Sequence, residues 1–181
     1  MPSLECISDQ AIKSHITRAV HEVFTTMLGQ NPRPMEGASE TGGQPWPPLS
    51  TREGVHPPHI VGTVGFIGEV NGLIYLYLPE PFARLATCRL LGLDQGDLGQ
   101  GNEEAAINDA IGELTNMTVG VFKNGLCDSG YSCRLTIPSI LRGRDFCIEP
   151  VKSVLRRVFY FDCAGHRVVT DLLMKFGDSS P

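Results

Sequence analysis

The chain has 181 residues, 41% of them hydrophobic, and a net charge of -5 from 15 basic and 20 acidic side chains. That size and balance fit one globular domain over 1–181, and the lack of a Lys/Arg run excludes nucleic acid or an anionic membrane as an electrostatic partner. No uninterrupted apolar stretch of about 18 residues spans a bilayer, and no charged start leads into an apolar run, so an unexported, cytoplasmic protein is expected.

Across 8–28, Ile12, Ile16, Ala19, Val20, Val23 and Met27 recur at three- and four-residue steps, which predicts an amphipathic helix. The segment 30–58 gathers most of the prolines around Trp46, the only tryptophan. Its composition suits neither helix nor ladder, and it reads as a Pro/Gly-rich surface insertion. His56 and His59 at its end lack a third ligand and read as solvated loop residues rather than a metal site. A hairpin follows over 59–78, with Asn71-Gly72 supplying the positive φ angles of a type I′ turn. Pro79 and Pro81 open a second helix that runs to about Leu91 and closes at Gly92. The linker to Gly101 has glycines but no following Lys-Ser/Thr, so it is not a phosphate cradle.

A third helix covers 103 to about 123. Strands are predicted over 132–141, 145–149, 153–162 and 166–175, with Ala164-Gly165 turning the last hairpin. The six cysteines stand singly, without a C-x-x-C pair or zinc-like spacing, and read as reduced core thiols.

Laying the first helix over the third at an offset of 91 residues matches Ile16, Ala19, Glu22 and Gly29 with Ile107, Ala110, Glu113 and Gly120. Val20 and Val23 fall on Ile111 and Leu114. Each helix precedes a β-rich stretch, so two related halves sharing one sheet are expected, although two amphipathic helices can also match by chance.

Winding the third helix at about 100° per residue puts Ile107, Ala110, Ile111, Leu114, Met117, Thr118 and Val121 on a core-facing side. The other side carries Asp109, Glu113, Asn116 and Lys123, with Gly112 and Gly120 among them. The steps 109/113 and 113/116 bring side chains together, so a carboxylate and a carboxamide stand side by side. Each glycine costs about 1 kcal/mol against alanine inside a helix, which points to close approach by another backbone. Helical geometry alone leaves two readings open: a functional pair, or solvated polar residues beside glycines that admit a neighbouring segment.

The run Asp109-Ala-Ile-Gly-Glu113-Leu-Thr-Asn116-Met-Thr-Val-Gly120 resembles the active helix of the CheC/CheX/FliY phosphatases, whose signature is Asp or Ser, then Glu four residues on, then Asn three further. Gly120 and Lys123 follow as in CheX. The hairpin Gly65-Phe-Ile-Gly-Glu-Val-Asn-Gly72-Leu-Ile-Tyr-Leu-Tyr-Leu-Pro79 and the helix ending Leu90-Leu-Gly92 are similar as well, so the likeness covers roughly 60–175. Two departures stand out. The family carries a proline some twenty residues past the Asn, and Pro138 sits near that place, one residue off. Thr25 stands where a second active Asn would, which resembles one-site CheX rather than two-site CheC.

The resemblance implies an α+β fold of the CheC/CheX kind: an antiparallel sheet with helices packed on it, in two pseudo-symmetric halves. It also implies a hydrolase that removes the phosphoryl group from the aspartate of a CheY-like response-regulator receiver in chemotaxis-type two-component signalling. In that reading Asn116 orients the attacking water and Glu113 pairs with the receiver's lysine, with Asp109, Gly112, Gly120 and Lys123 supporting them. Asp109 either orients Glu113 or Lys123 or is solvated. The chain needs no cofactor of its own, because the receiver supplies Mg2+ and the phosphorylated aspartate. A homodimer formed through sheet edges is implied too. The rival is a module of the same fold that binds a receiver or other signalling partner without hydrolysing anything.

Overall fold

A computed structural model of the chain describes residues 7–35, 58–99, 101–144, 148–149 and 151–177. Helix α1 (Asp9–Leu28) starts at Ser8, whose Oγ accepts from the Ala11 N–H, and stops at Gly29 with φ 62°. Then come β1 (Arg33–Pro34), β2 (His59–Gly68), β3 (Val70–Pro79), α2 (Glu80–Leu91) and α3 (Glu103–Asp128). The chain finishes with β4 (Cys133–Leu135), β5 (Ser139–Gly143), β6 (Leu155–Cys163) and β7 (His166–Phe176). Among the described residues, no helix is long and apolar enough to cross a membrane.

All described strand pairings are antiparallel, in the order β1-β6-β7-β3-β2-β4, with β5 continuing the β4 edge along β2. The order has the expected pseudo-two-fold. The first half contributes α1, β1, β2 and β3; the second contributes α3, β4, β5, β6 and β7. Each half lends its short edge strand to the other: β1 pairs β6 and β4/β5 pair β2, while β3 and β7 meet at the centre.

The helices share one face of this sheet. Ile12, Ile16, Val20 and Phe24 of α1, Phe82 and Ala86 of α2, and Ile107, Ile111, Leu114 and Phe122 of α3 bury themselves against Ile60, Val64, Phe66, Ile74, Leu76 and Leu172. Full burial of each such aliphatic or aromatic side chain contributes about 1.5–3 kcal/mol, so this layer fixes the position of α3. On the opposite face Val61, Tyr77, Val158 and Val169 form a smaller buried cluster. Beside it Arg156 donates two hydrogen bonds to Asp171, at 2.9 and 2.7 Å.

Several sequence expectations need correction. The first hairpin does not turn at Asn71-Gly72. Phe66 pairs with Gly72, so the reversal centres on Glu69, and Asn71 serves it through its side chain, accepting from the Gly68 N–H at 3.1 Å. Gly72 is glycine because a Cβ there would strike the Phe66 ring and lie 2.6 Å from the Leu173 carbonyl oxygen. The second hairpin turns as expected, at Ala164 (φ 53°) and Gly165 (φ 78°).

Helix α3 runs five residues past Lys123, to Asp128; in this extension Gly125 lets His15 of α1 pack against the helix, with Nδ1 2.5 Å from where a Cβ would be. Within 30–58, Arg33 and Pro34 do join a ladder; a proline is tolerated on this edge, and the next N–H, of Met35, donates to Tyr160 O at 2.9 Å. His59 is not a solvated loop residue but a buried one, the first of β2. The predicted strand 132–141 is two strands, β4 and β5. Cys88 and Cys163 are buried free thiols as expected, whereas Cys127 and Cys133 are only half-buried. Trp46, His56, Cys6, Cys147 and the body of the insertion lie outside the described residues, as does most of the predicted strand 145–149.

Candidate functional site

Asn102 opens α3 by accepting from the Ala105 N–H, and Glu103 and Glu104 complement the helix dipole in the first turn. The helix is pressed onto the sheet at Thr115. Its Oγ donates back to the Ile111 carbonyl at 2.6 Å, and the residue faces Gly62 of β2 so closely that a Cβ on Gly62 would overlap Oγ1 and lie 2.8 Å from the Thr115 Cβ.

Its buried stripe is broader than the periodicity suggests. Gly112, Thr115, Val119 and Phe122 are buried too, while Met117 and Val121 are only half-buried, because α3 is flanked by α1 and α2 and crossed by the edge strand β4/β5. Glu113 and Asp109 are exposed, and Asn116, Gly120 and Lys123 are half-buried. Glu113 and Asn116 thus stand three residues apart at the rim of the buried stripe, on one side of a rigid rod. Among the described residues no hydrogen bond or ion pair joins Asp109 to Glu113 or Lys123. Lys123 approaches Cys133, whose thiol is pushed up by burial and by Cys127 and pulled down by the lysine's charge.

The edge strand forms a wall over this side. Phe66 pairs with Leu135 and Thr63 with Ser139, so two residues of β2, Val64 and Gly65, face three: Thr136, Ile137 and Pro138. The extra residue makes a β-bulge. Thr136 closes it from both sides, its N–H donating to the Gly65 carbonyl at 2.8 Å and its Oγ1 accepting from the Gly65 N–H at 2.9 Å. Further along, Arg142 donates twice to Asn108 Oδ1, at 3.1 and 2.7 Å, and ties β5 to α3.

The wall meets the helix at the two glycines. Leu135 Cδ1 lies 3.9 Å from the place of a Cβ on Gly120, and Pro138 Cγ 4.0 Å from that on Gly112. These are side-chain contacts at ordinary distance, so within the chain the expected close backbone approach does not occur. Gly112, Asn116 and Gly120 lie at successive four-residue steps, so Asn116 sits midway beneath the bulge.

The matching position on α1 is built differently. Glu22 is held 3.7 Å from Arg18, which stands where α3 has Asp109, and Thr25 occupies the amide's place. Among the described residues no three His, Cys, Asp or Glu side chains gather as a metal-ligand set. The sequence reading missed the Gly62–Thr115 contact and the bulge. Glycines at 62 and 65 within a strand and a proline at 138 in a strand pattern were the available signals.

Comparison with known proteins shows the family. Residues 60–162 match the family model described as chemotaxis phosphatase CheX. The chain is 29% identical over 150 residues to the CheY-P phosphatase CheX of Thermotoga maritima, covering 82% of this chain and 86% of that protein. Its fold is similar to the crystal structure of the chemotaxis protein CheX from Desulfovibrio desulfuricans, with TM-score 0.69 and 22% identity over 91% of this chain and 99% of that one. It is also similar to a chain of the CheX–CheY–BeF3–Mg complex from Borrelia burgdorferi, with TM-score 0.64 and 18% identity over 91% and 97% of the two chains. Because the matched model takes in more than half of the 181 residues, including the whole of α3 and the bulge, this chain belongs to the CheX chemotaxis phosphatase family.

Proposed function

We propose that this chain hydrolyses the aspartyl phosphate of a CheY-like receiver domain, with Asn116 and Glu113 as the residues that enter the receiver's pocket. One observation carries the assignment of residues: the exposed carboxylate of Glu113 and the half-buried carboxamide of Asn116 stand three residues apart on one side of a helix fixed against the sheet and the bulge. An acyl phosphate reacts through a loose, in-line transition state, so the phosphatase contributes placement and charge rather than covalent chemistry. The Asn116 side-chain oxygen accepts a hydrogen bond from water and aims its lone pair at phosphorus. As the new P–O bond forms, the bond to the aspartyl oxygen breaks. The aspartate leaves as a carboxylate and the water's protons pass to phosphate and solvent.

Glu113 pairs with the lysine of the receiver pocket and sets the register of the helix. The divalent cation of the reaction belongs to the receiver, with which it enters. We further read the protein as a cytoplasmic homodimer joined at sheet edges. In support, β1 is the only described strand on the outer edge of β6, and it spans two residues.

The test is phosphate release from a receiver of the source organism charged with acetyl phosphate, using native protein beside Glu113→Ala and Asn116→Ala. Native protein accelerates release and both variants lose most of that acceleration. A native protein that binds the charged receiver without accelerating release is the non-catalytic module instead.

A further inference from the structure

Ile137 is the most exposed large hydrophobic residue among those described, with 85% of its surface open to solvent. A lone exposed isoleucine is ordinary on a protein surface. This one is different in how it is held. It is the middle residue of the three that face two on β2, so the bulge itself turns it outward. On its N-terminal side Thr136 is bonded to both backbone groups of Gly65. On its C-terminal side Pro138 fixes its own φ, restricts Ile137 to extended backbone, and rests over Gly112. A β-branched side chain with few rotamers is therefore presented on a backbone with little freedom left, and it loses little entropy on being covered.

The position is as specific as the restraint. Pro138 lies over Gly112 and Leu135 over Gly120, and Asn116 is halfway between those glycines. A partner that brings a reacting group to Asn116 has to come down past 136–138. Resting on the phosphatase reading above, we propose that Ile137 is an apolar docking anchor for the receiver domain, seated against an apolar surface next to the receiver's phosphorylated pocket. Asn116 and Glu113 then serve the polar interior of that pocket, while Ile137 contributes affinity at its edge, in the pattern of a dry anchor beside a polar centre. The receiver is the occupant because the bulge is continuous with the side of α3 that displays the reacting pair.

The experiment measures two quantities on native protein, Ile137→Ala, Ile137→Lys and the conservative Ile137→Met. One is steady-state phosphate release as a function of receiver concentration; the other is affinity for the same receiver carrying beryllofluoride. The expected result is a rise of fivefold or more in KM and in Kd for Ile137→Ala, a larger rise for Ile137→Lys, and near-native values for Ile137→Met. In all three, kcat stays within twofold and the thermal midpoint is unchanged. A rise of less than fivefold in Kd for both Ala and Lys overturns the proposal, as does a fall in kcat at unchanged KM. The two readings fail separately: full activity of Asn116→Ala removes the phosphatase assignment, while the Kd series still decides whether Ile137 docks the receiver. A receiver that does not bind the native chain overturns both.

Discussion

Thr115 sits over Gly62 with no room for a side chain between them: a Cβ on Gly62 would overlap the threonine hydroxyl and lie 2.8 Å from its Cβ. Rotating the threonine relieves one contact and leaves the other, so Gly62→Ala has to lift α3 from β2. Overpacking of this kind costs about 1–3 kcal/mol. Asn116 is the next residue and moves with the helix. A misplacement of around 1 Å lowers the rate by about 100-fold. Chemical denaturation and phosphate release on Gly62→Ala check both effects.

Gly120 makes the opposite case. Its nearest neighbour would be 3.9 Å from an added Cβ, an ordinary contact, and the residue is in mid-helix. Gly120→Ala should therefore stabilise the free chain by about 1 kcal/mol. For a domain of this size, that raises the thermal midpoint by about 2–4 °C. If Gly120 also supports docking of the receiver, as the resemblance to the family implies, phosphatase activity falls despite the gain. Calorimetry and kinetics on one preparation separate the two.

The likeness between the halves predicts that one of the two helices is silent. Glu22 is engaged by Arg18 at 3.7 Å and has Thr25 beside it in place of an amide. Glu22→Ala leaves phosphate release within twofold of native, whereas Glu113→Ala abolishes most of it. Equal losses would mean that both helices act.

Burial pushes the Cys163 thiol up to about 11 from its ordinary 9.0. The folded chain keeps this proton to higher pH than the unfolded chain does. The thiol's contribution to stability is thus fully present below pH 9.0 and is lost as pH rises toward about 11. At pH 8 the thiol reacts with an aromatic disulfide reagent only after denaturation. Cys163→Ala, followed by thiol titration of native and unfolded protein, identifies the slow group.

Much of the fold could be read from local signals because those signals act locally. The three- and four-residue recurrence from Ile12 to Met27, Pro81 near the start of α2 and Gly92 at its end each specify structure within a turn or two of themselves. What escaped depends on partners distant in sequence. Gly72 reads as a turn residue until Phe66 and Leu173 are placed across from it. Arg33 and Pro34 become a strand only because β6 offers an edge.

The site shows the same division. Helical spacing puts Glu113 and Asn116 together, whereas the burial of Gly112, Thr115 and Val119 comes from the sheet and the β4/β5 wall. The bulge over Asn116 is a register relation between β2 and two later strands, and counting residues along a single strand does not reveal it.

The central claim is that the Asn116 amide places the attacking water, and it is tested most directly by paired measurements on Asn116→Ala. One is affinity for a beryllofluoride-loaded receiver; the other is the rate of phosphate release from the same receiver charged with acetyl phosphate. The account predicts binding within about threefold of native and release slowed by about 100-fold, toward the receiver's own rate. Release by Asn116→Ala at the native rate would contradict it.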